Sequence, residues 1–409
     1  MLGRKKISRF ASASISSKQI NFITNDHQEV NSINPLNWKL WPKEGKLLFI
    51  FFIFWYVFGL FILGSASWWV ASQEMGDWSF YIKRQIIWFV PSSTVFFLII
   101  RSNIRTLLKI SKYIFYILLI LILATIFFGS TVNGSSRWLI IGPLQMQPSE
   151  LIKPFAVLEA ANLFAHWKLV SSDKKTFSIL SFGLLIFLIM LQPNLSTAGL
   201  TGILFWIMAL CGGVQIKSLL SVALLGGSSA YISILNNDYQ RLRVISFMNP
   251  WQDPEGNGYQ LIQSLLAIGS GGIFGQGFGL STQKLQYLPI QSTDFIFAIF
   301  AEEFGLLGSI FFMSFLMLLS FLIFVVANRC RNNYTKLVTI GCGTLLIGQS
   351  LMHIAVTSGS MPTTGLPLPF VSYGGNSLIS SSFTAALLIR CSLESTGLIG
   401  IRRARKCFN

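Results

Sequence analysis

The chain has 409 residues, of which 52% are hydrophobic and only 11% charged, with 36 Phe and 11 Trp. A soluble domain carries roughly 25% charged residues, so this composition excludes a soluble enzyme, a secreted disulfide scaffold and a disordered tail protein. The formal charge of +16 comes from short Lys and Arg clusters between long apolar runs, which is the pattern of a polytopic membrane protein and not of a nucleic-acid-binding face.

Residues 1–45 carry Arg4, Lys5, Lys6, Arg9 and Lys18 among many Ser and Asn, with no apolar core. They are expected to form a disordered basic cytoplasmic tail, not a cleavable signal peptide. Such a tail suits anionic lipid or cytoplasmic partner proteins. Crossing the hydrocarbon core takes about 20 apolar residues. Runs of that kind lie at roughly 47–66, 85–101, 113–129, 150–166, 176–192, 195–212, 218–235, 305–327, 337–356 and 374–391. The expected fold is therefore an all-α membrane protein of about ten transmembrane helices over 46–391, followed by a second basic tail at 392–409. With the N-terminus inside, inner segments carry 24 of the 31 Lys and Arg and outer segments six, with Lys153 inside the fourth run. That bias predicts cytoplasmic termini at both ends. The five cysteines avoid the outer segments, so no structural disulfide is expected, and the three histidines lack metal-ligand spacing.

Three polar segments interrupt the apolar sequence on the predicted outer side. The first flanks the fourth span: Gly134-Ser135-Ser136-Arg137-Trp138, then Gln147-Pro148-Ser149-Glu150-Leu151-Ile152-Lys153. Pro148 starts a helix, and Glu150 and Lys153 are one turn apart, close enough to pair. Ionisable residues in an apolar span mark a site or pathway; alternatively, Lys153 neutralises Glu150 or Glu159 and locks helices together. The second segment, 236–293, is a large outer loop between spans seven and eight, and long connections are usually functional. Residues 258–268 read as a short amphipathic helix on the membrane surface. A phosphate-cradling reading of Gly275-Gln276-Gly277 rests on that motif alone. The loop ends at Ser292-Thr293-Asp294-Phe295, and helical sequence continues to about Ala327. A straight helix of that length, about 51 Å, overshoots the hydrocarbon core and places Asp294, Glu302 and Glu303 near the outer interface. Thr293 as N-cap with Asp294 in the first turn is an equally available structural reading. The third segment, 358–377, is uncharged; Pro362, Pro367 and Pro369 forbid a helix there. Irregular backbone at membrane depth must be buried in protein or line a polar cavity.

These dispersed motifs together resemble the SEDS family (shape, elongation, division and sporulation), the polytopic proteins typified by FtsW and RodA. The resemblance covers about 46–391 and rests on Arg137-Trp138, Gln147-Pro148-Ser149-Glu150 with Lys153, Gln192-Pro193, Asn249-Pro250, Thr293-Asp294-Phe295-Ile296-Phe297-Ala298 with Glu302-Glu303, and Leu368-Pro369-Phe370 with Ser372-Tyr373-Gly374-Gly375. The segment Gln283-Lys284-Leu285-Gln286-Tyr287-Leu288-Pro289 looks like the FtsW branch. Departures are Asn194 where the family has Asp, Ile290-Gln291-Ser292 where Glu and His are usual, and His353 where Asn is common.

The resemblance implies a peptidoglycan glycosyltransferase that polymerises lipid II on the outer face of the cytoplasmic (inner) membrane at the division septum. It implies as partners a class B penicillin-binding protein (an FtsI-like transpeptidase) and other membrane proteins of the divisome. Asp294 matches the family's essential loop aspartate and is the expected catalytic base, taking the proton of the attacking sugar hydroxyl. Arg137, Glu150, Lys153, Glu302 and Ser372 are expected around the substrate and its diphosphate. Positive charge there would come from Arg137, Lys153 or a divalent cation, Mg²⁺ or Mn²⁺. The alternatives are a lipid II flippase, a RodA-like elongation enzyme, or a scaffold that only recruits partners.

Overall fold

The computed structural model describes residues 37–132, 135–142 and 144–395. Most of both expected tails, 1–36 and 396–409, lies outside the described residues. Residues 37–45, expected in the first tail, already form a 3₁₀ turn (Trp38–Leu40) and the start of α1 (Lys43–Met75). Trp38 and Trp41 pack on Phe49, and the Lys46 ammonium lies 5.7 Å from the Trp38 ring. Such an aromatic–basic girdle suits the membrane–water boundary.

After α1 come α2 (Phe80–Arg101) and α3 (Ile104–Phe128), then a small antiparallel sheet, β1 (Ser130–Val132), β2 (Ser135–Ile141) and β3 (Leu144–Met146). Hydropathy gave no sign of this sheet. Its strands are short, and β2 pairs Trp138 with Ser130 and Ile140 with Gln145. The chain continues through α4 (Pro148–Phe164), α5 (Ser172–Leu191), α6 (Leu195–Cys211), α7 (Ile216–Asn236), α8 (Asp238–Met248), α9 (Tyr259–Ser270), α10 (Ile296–Arg329), α11 (Asn333–Thr357) and α12 (Gly375–Ser395).

Every expected span is a helix, but not all meet a lipid-crossing criterion. Seven described helices (α1, α2, α3, α5, α7, α10 and α11) are long and apolar enough to cross a membrane. Of the other three, α4 and α12 are mostly buried, while α6 keeps Ile203 and Leu210 exposed. Helices α4 and α6 have 17 residues each, about 26 Å of rise. Helix α12 is polar by composition, yet Ser380, Ser381, Ser382 and Thr384 are all buried. It packs against α2, α4 and α11, so neighbouring protein takes the place of lipid, and Thr384 donates back to the Ser380 carbonyl at 2.8 Å. At the other extreme, α7 buries only Leu219.

The long eighth span is not one straight helix. Gly305, with φ 65° and ψ −160°, breaks α10. Freed backbone groups at this depth need partners, and the Gly-rich segment supplies them. Gln276 and Gly277 donate to the Glu302 and Glu303 carbonyls at 2.9 and 3.0 Å, while Leu306 donates to Gly272 at 2.9 Å. A side chain on Gly275 or Gly305 would run into the opposing backbone. The amides of Gln276 and Gly277 are thus committed to the helix break, which overturns the phosphate-cradling reading of Gly275-Gln276-Gly277.

Candidate active site

The starts of α2, α4 and α12, the α8–α9 region, the loop before α10 and the proline-rich loop after α11 all meet at one end of the bundle. Between them lies a cavity of about 840 Å³ lined by Arg84, Arg137, Trp138, Glu150, Tyr239, Arg243, Glu255, Asp294, Gly365 and Asn376, among others.

Asp294 stands on the cavity wall, two residues ahead of α10. The N-cap of α10 is Phe295, with no side-chain cap bond, and the Thr293 hydroxyl donates to the Ile290 carbonyl instead. The helix-capping reading of Thr293 and Asp294 is therefore overturned, and the carboxylate has no structural duty at the helix start. Its backbone is held from two sides. The Ser372 hydroxyl donates to the Thr293 carbonyl at 2.6 Å and accepts from Leu368 N at 2.8 Å, and Tyr373 N donates to the Ser292 carbonyl at 2.9 Å. From the far side, Gln291 donates to the carbonyls of Ala66 and Lys284 at 2.9 and 2.8 Å.

Asp294 is half-buried because it opens on the cavity while protein encloses its other sides. Burial pushes its pKa up from 3.8 to about 6, against the opposing pull of Arg243, the Thr293 hydroxyl and Arg137. A carboxylate poised there is basic enough to take a proton near neutral pH and still ionised to do so.

Arg137, on β2, donates from Nε to the Gln192 carbonyl at 3.1 Å and from Nη2 to the Pro193 carbonyl at 2.6 Å. Gln192-Pro193 thus fixes the guanidinium through its backbone. Burial lowers the Arg137 pKa, but a guanidinium stays charged in protein. A Cβ on Gly365 would sit 3.6 Å from Arg137 Nη1 and 3.7 Å from Asp294 Oδ2, so this glycine lies between the cation and the carboxylate.

Glu150 lines the cavity, and its carboxylate is held by Lys153 at 2.8 Å with both side chains buried. Of the two partners weighed for Lys153, the structure selects Glu150; Glu159 accepts instead from Ser111 at 2.7 Å. Lys153 also donates to Gln349 Oε1 at 2.7 Å, and Gln349 donates to the Pro367 carbonyl at 2.7 Å. Lys153 therefore stands behind the cavity wall, bracing the proline-rich loop. His353 braces the same loop through the Leu366 carbonyl at 2.9 Å.

Besides Lys153, two further residues expected around the substrate do not line the cavity. Glu302 accepts from the Ser281 hydroxyl, from Thr282 N and Oγ1 at 2.9 Å each, and from Gln283 N at 3.4 Å. That carboxylate is taken up by residues 281–283 and does not line the cavity, so the expectation that Glu302 stands around the substrate is corrected. Glu303 pairs with Lys284 at 2.8 Å, with Ser65 bridging the two. Ser372 is the second, acting as the latch on the Asp294 loop. Asn194, the departure from the family's Asp, accepts from Thr197 N at 3.3 Å and caps α6, a task its side-chain oxygen performs without a charge.

Sequence reading missed Arg243. It lines the cavity, donates to the Thr363 carbonyl at 3.0 Å and stacks 4.5 Å from the Tyr239 ring. Only position in space separates it from Arg241, which pairs with Asp238 at 2.7 Å.

The lining carboxylates Glu150, Glu255 and Asp294 form no metal cage; among the described residues no group of three or more His, Cys, Asp or Glu could hold an ion. Mg²⁺ is commonly held by one or two carboxylates together with substrate phosphates. An ion brought in by a diphosphate would find its protein ligand among these lining carboxylates.

Fold and cavity define a polytopic helical membrane protein in which the loop carboxylate of Asp294 shares a cavity with fixed arginines at one end of the bundle. The profile of the FtsW/RodA/SpoVE cell cycle proteins matches residues 45–397. The chain belongs to this family. It is 46% identical over 356 residues to a Synechocystis protein named probable peptidoglycan glycosyltransferase FtsW, covering 87% of this chain and 91% of that protein. To its namesake in Mesostigma viride it is 45% identical, covering 88% and 86%. A solved peptidoglycan synthase complex, described as coordinating polymerization and crosslinking, superposes with a TM-score of 0.69 at 28% identity, covering 85% of this chain and 97% of that one. The fold is shared with the rod shape determining protein RodA of Thermus thermophilus, at a TM-score of 0.64 and 24% identity.

Proposed function

We propose that this chain polymerises lipid II into glycan strands on the outer face of the cytoplasmic membrane, in septal wall synthesis during cell division. One observation carries the reading: a loop carboxylate, raised to about 6, shares a polar cavity with arginines that backbone carbonyls hold in place. The acceptor sugar's 4-hydroxyl attacks the anomeric carbon of the strand, and Asp294 takes its proton. A carbon–oxygen bond forms there as the bond to the diphosphate breaks. The lipid diphosphate leaves with that electron pair, and Arg137 stabilises its charge.

The FtsW relatives support the division role, and the charge bias along the sequence supports an outward-facing site. Likeness to a synthase complex supports a class B penicillin-binding protein as partner, with further divisome membrane proteins around the pair. The test is reconstitution of the chain with that partner and lipid II. Glycan polymer is expected from the wild type, and Asp294→Asn is expected to slow it about 10²–10⁴-fold, the usual contribution of a general base. Polymer at the normal rate from Asp294→Asn would overturn the reading.

A further inference from the structure

Arg137 and Arg243 reach the cavity from different elements, β2 and α8, and both are held by backbone carbonyls. Arg137 is tied to Gln192 and Pro193, and Arg243 to Thr363. A carbonyl orients a guanidinium without cancelling its charge. The ion pairs among the described residues include neither arginine. Lys153, by contrast, is neutralised by Glu150. Five N–H donors belong to each guanidinium, and these bonds use two on Arg137 and one on Arg243. The Tyr239 ring, 4.5 Å from the Arg243 guanidinium, fixes the plane that bidentate recognition of a phosphate requires. The two cations also face a common anionic neighbour, since Asp294 feels both. With Glu150 neutralised by Lys153, the lining carries Arg84, Arg137 and Arg243 against Asp294 and Glu255, so the cavity holds an excess of positive charge.

We infer that Arg243 is a second diphosphate-binding residue, which together with Arg137 grips the leaving diphosphate of a polyprenyl-linked sugar donor, with Tyr239 as the plate that orients it. The identity of the donor rests on the glycosyltransferase reading; the two-arginine grip does not. A monophosphate fills one guanidinium, whereas a diphosphate fills both.

The test measures binding of farnesyl diphosphate and farnesyl monophosphate to the full chain in nanodiscs. Arg243→Gln is expected to weaken the diphosphate roughly 10- to 100-fold, as charge-assisted hydrogen bonds are lost, and to change the monophosphate less than threefold. Arg243→Lys, which restores charge without the fork, is expected to recover part of the loss. Tyr239→Leu, which keeps the charge and frees the plane, is expected to cost the diphosphate several-fold. Arg241→Gln removes the same charge two residues away and is expected to leave both ligands unchanged. Thermal unfolding of each variant separates lost binding from lost fold. Unchanged diphosphate affinity in folded Arg243→Gln, or an equal loss in Arg241→Gln, would overturn the inference. Failure of the glycosyltransferase reading would show elsewhere, as polymer made by Asp294→Asn, while the difference between the two phosphates persisted.

Discussion

In the proposed reaction Asp294 is the base, and its ionisation then sets the pH dependence. Burial raises its pKa to about 6, and Arg243 and Arg137 hold it below where burial alone would leave it. A base must be ionised to accept a proton, so kcat/KM for lipid II polymerisation should rise through about pH 6 and fall tenfold per unit below it. Removing a cation removes part of the downward pull, so in Arg243→Gln this acid limb should move to higher pH. A rate profile from pH 4.5 to 8 checks both; a limb near pH 4 in the wild type would mean the carboxylate is not enclosed as described. The stability sign runs with the raised pKa. The folded state favours the neutral acid, so this group's contribution is fully present below its ordinary 3.8 and is lost as pH rises through about 6. Asp294 was legible from a motif, because Thr-Asp-Phe is local sequence. Arg243 was not, because nothing local distinguishes it from Arg241 until the Thr363 carbonyl and the Tyr239 ring are brought beside it.

Among the elements, the segment from Gly271 to Gln291 stands out. It is the structure that holds the catalytic loop. Its glycines knit the break at Gly305, its hydroxyls satisfy Glu302, and Lys284 meets Glu303 with both side chains fully buried. Breaking such a pair leaves an uncompensated charge and typically costs 3–5 kcal/mol, whereas replacing both partners by apolar residues is often close to neutral. Lys284→Met alone should therefore lower the thermal midpoint in detergent strongly, and Lys284→Met with Glu303→Leu should recover most of it. If the double variant is as unstable as the single, the pair is not the source. The glycine pattern announced turns and close approach, and those are present. It could not announce that the approached surface is a broken helix, because the partner carbonyls lie some 30 residues away in the chain.

At the scale of the whole molecule, charge and site must agree on sidedness. The excess of Lys and Arg on alternate segments puts the cavity end outside. In a cysteine-free background, a cysteine at Asn257, which lines the cavity, should react with an impermeant maleimide in intact cells. One at Asp173, at the start of α5, should react only after permeabilisation. The reverse pattern would place the site in the cytoplasm and remove lipid II polymerisation at the outer face as its role.

Apolar runs long enough to span a bilayer, the charge bias between them and the family's dispersed motifs were all written in the sequence. Each depends on solvent preference or on residues adjacent in the chain. Tertiary structure alone decided which runs are interior and which meet lipid, because α12 is polar by composition and is buried by its neighbours. It also decided that Glu302 and Ser372 support the site from behind while Arg243 faces it. A side chain's role depends on where long-range folding points it, and in this chain Ser281, Thr282 and Lys284 take up Glu302 and Glu303 away from the cavity.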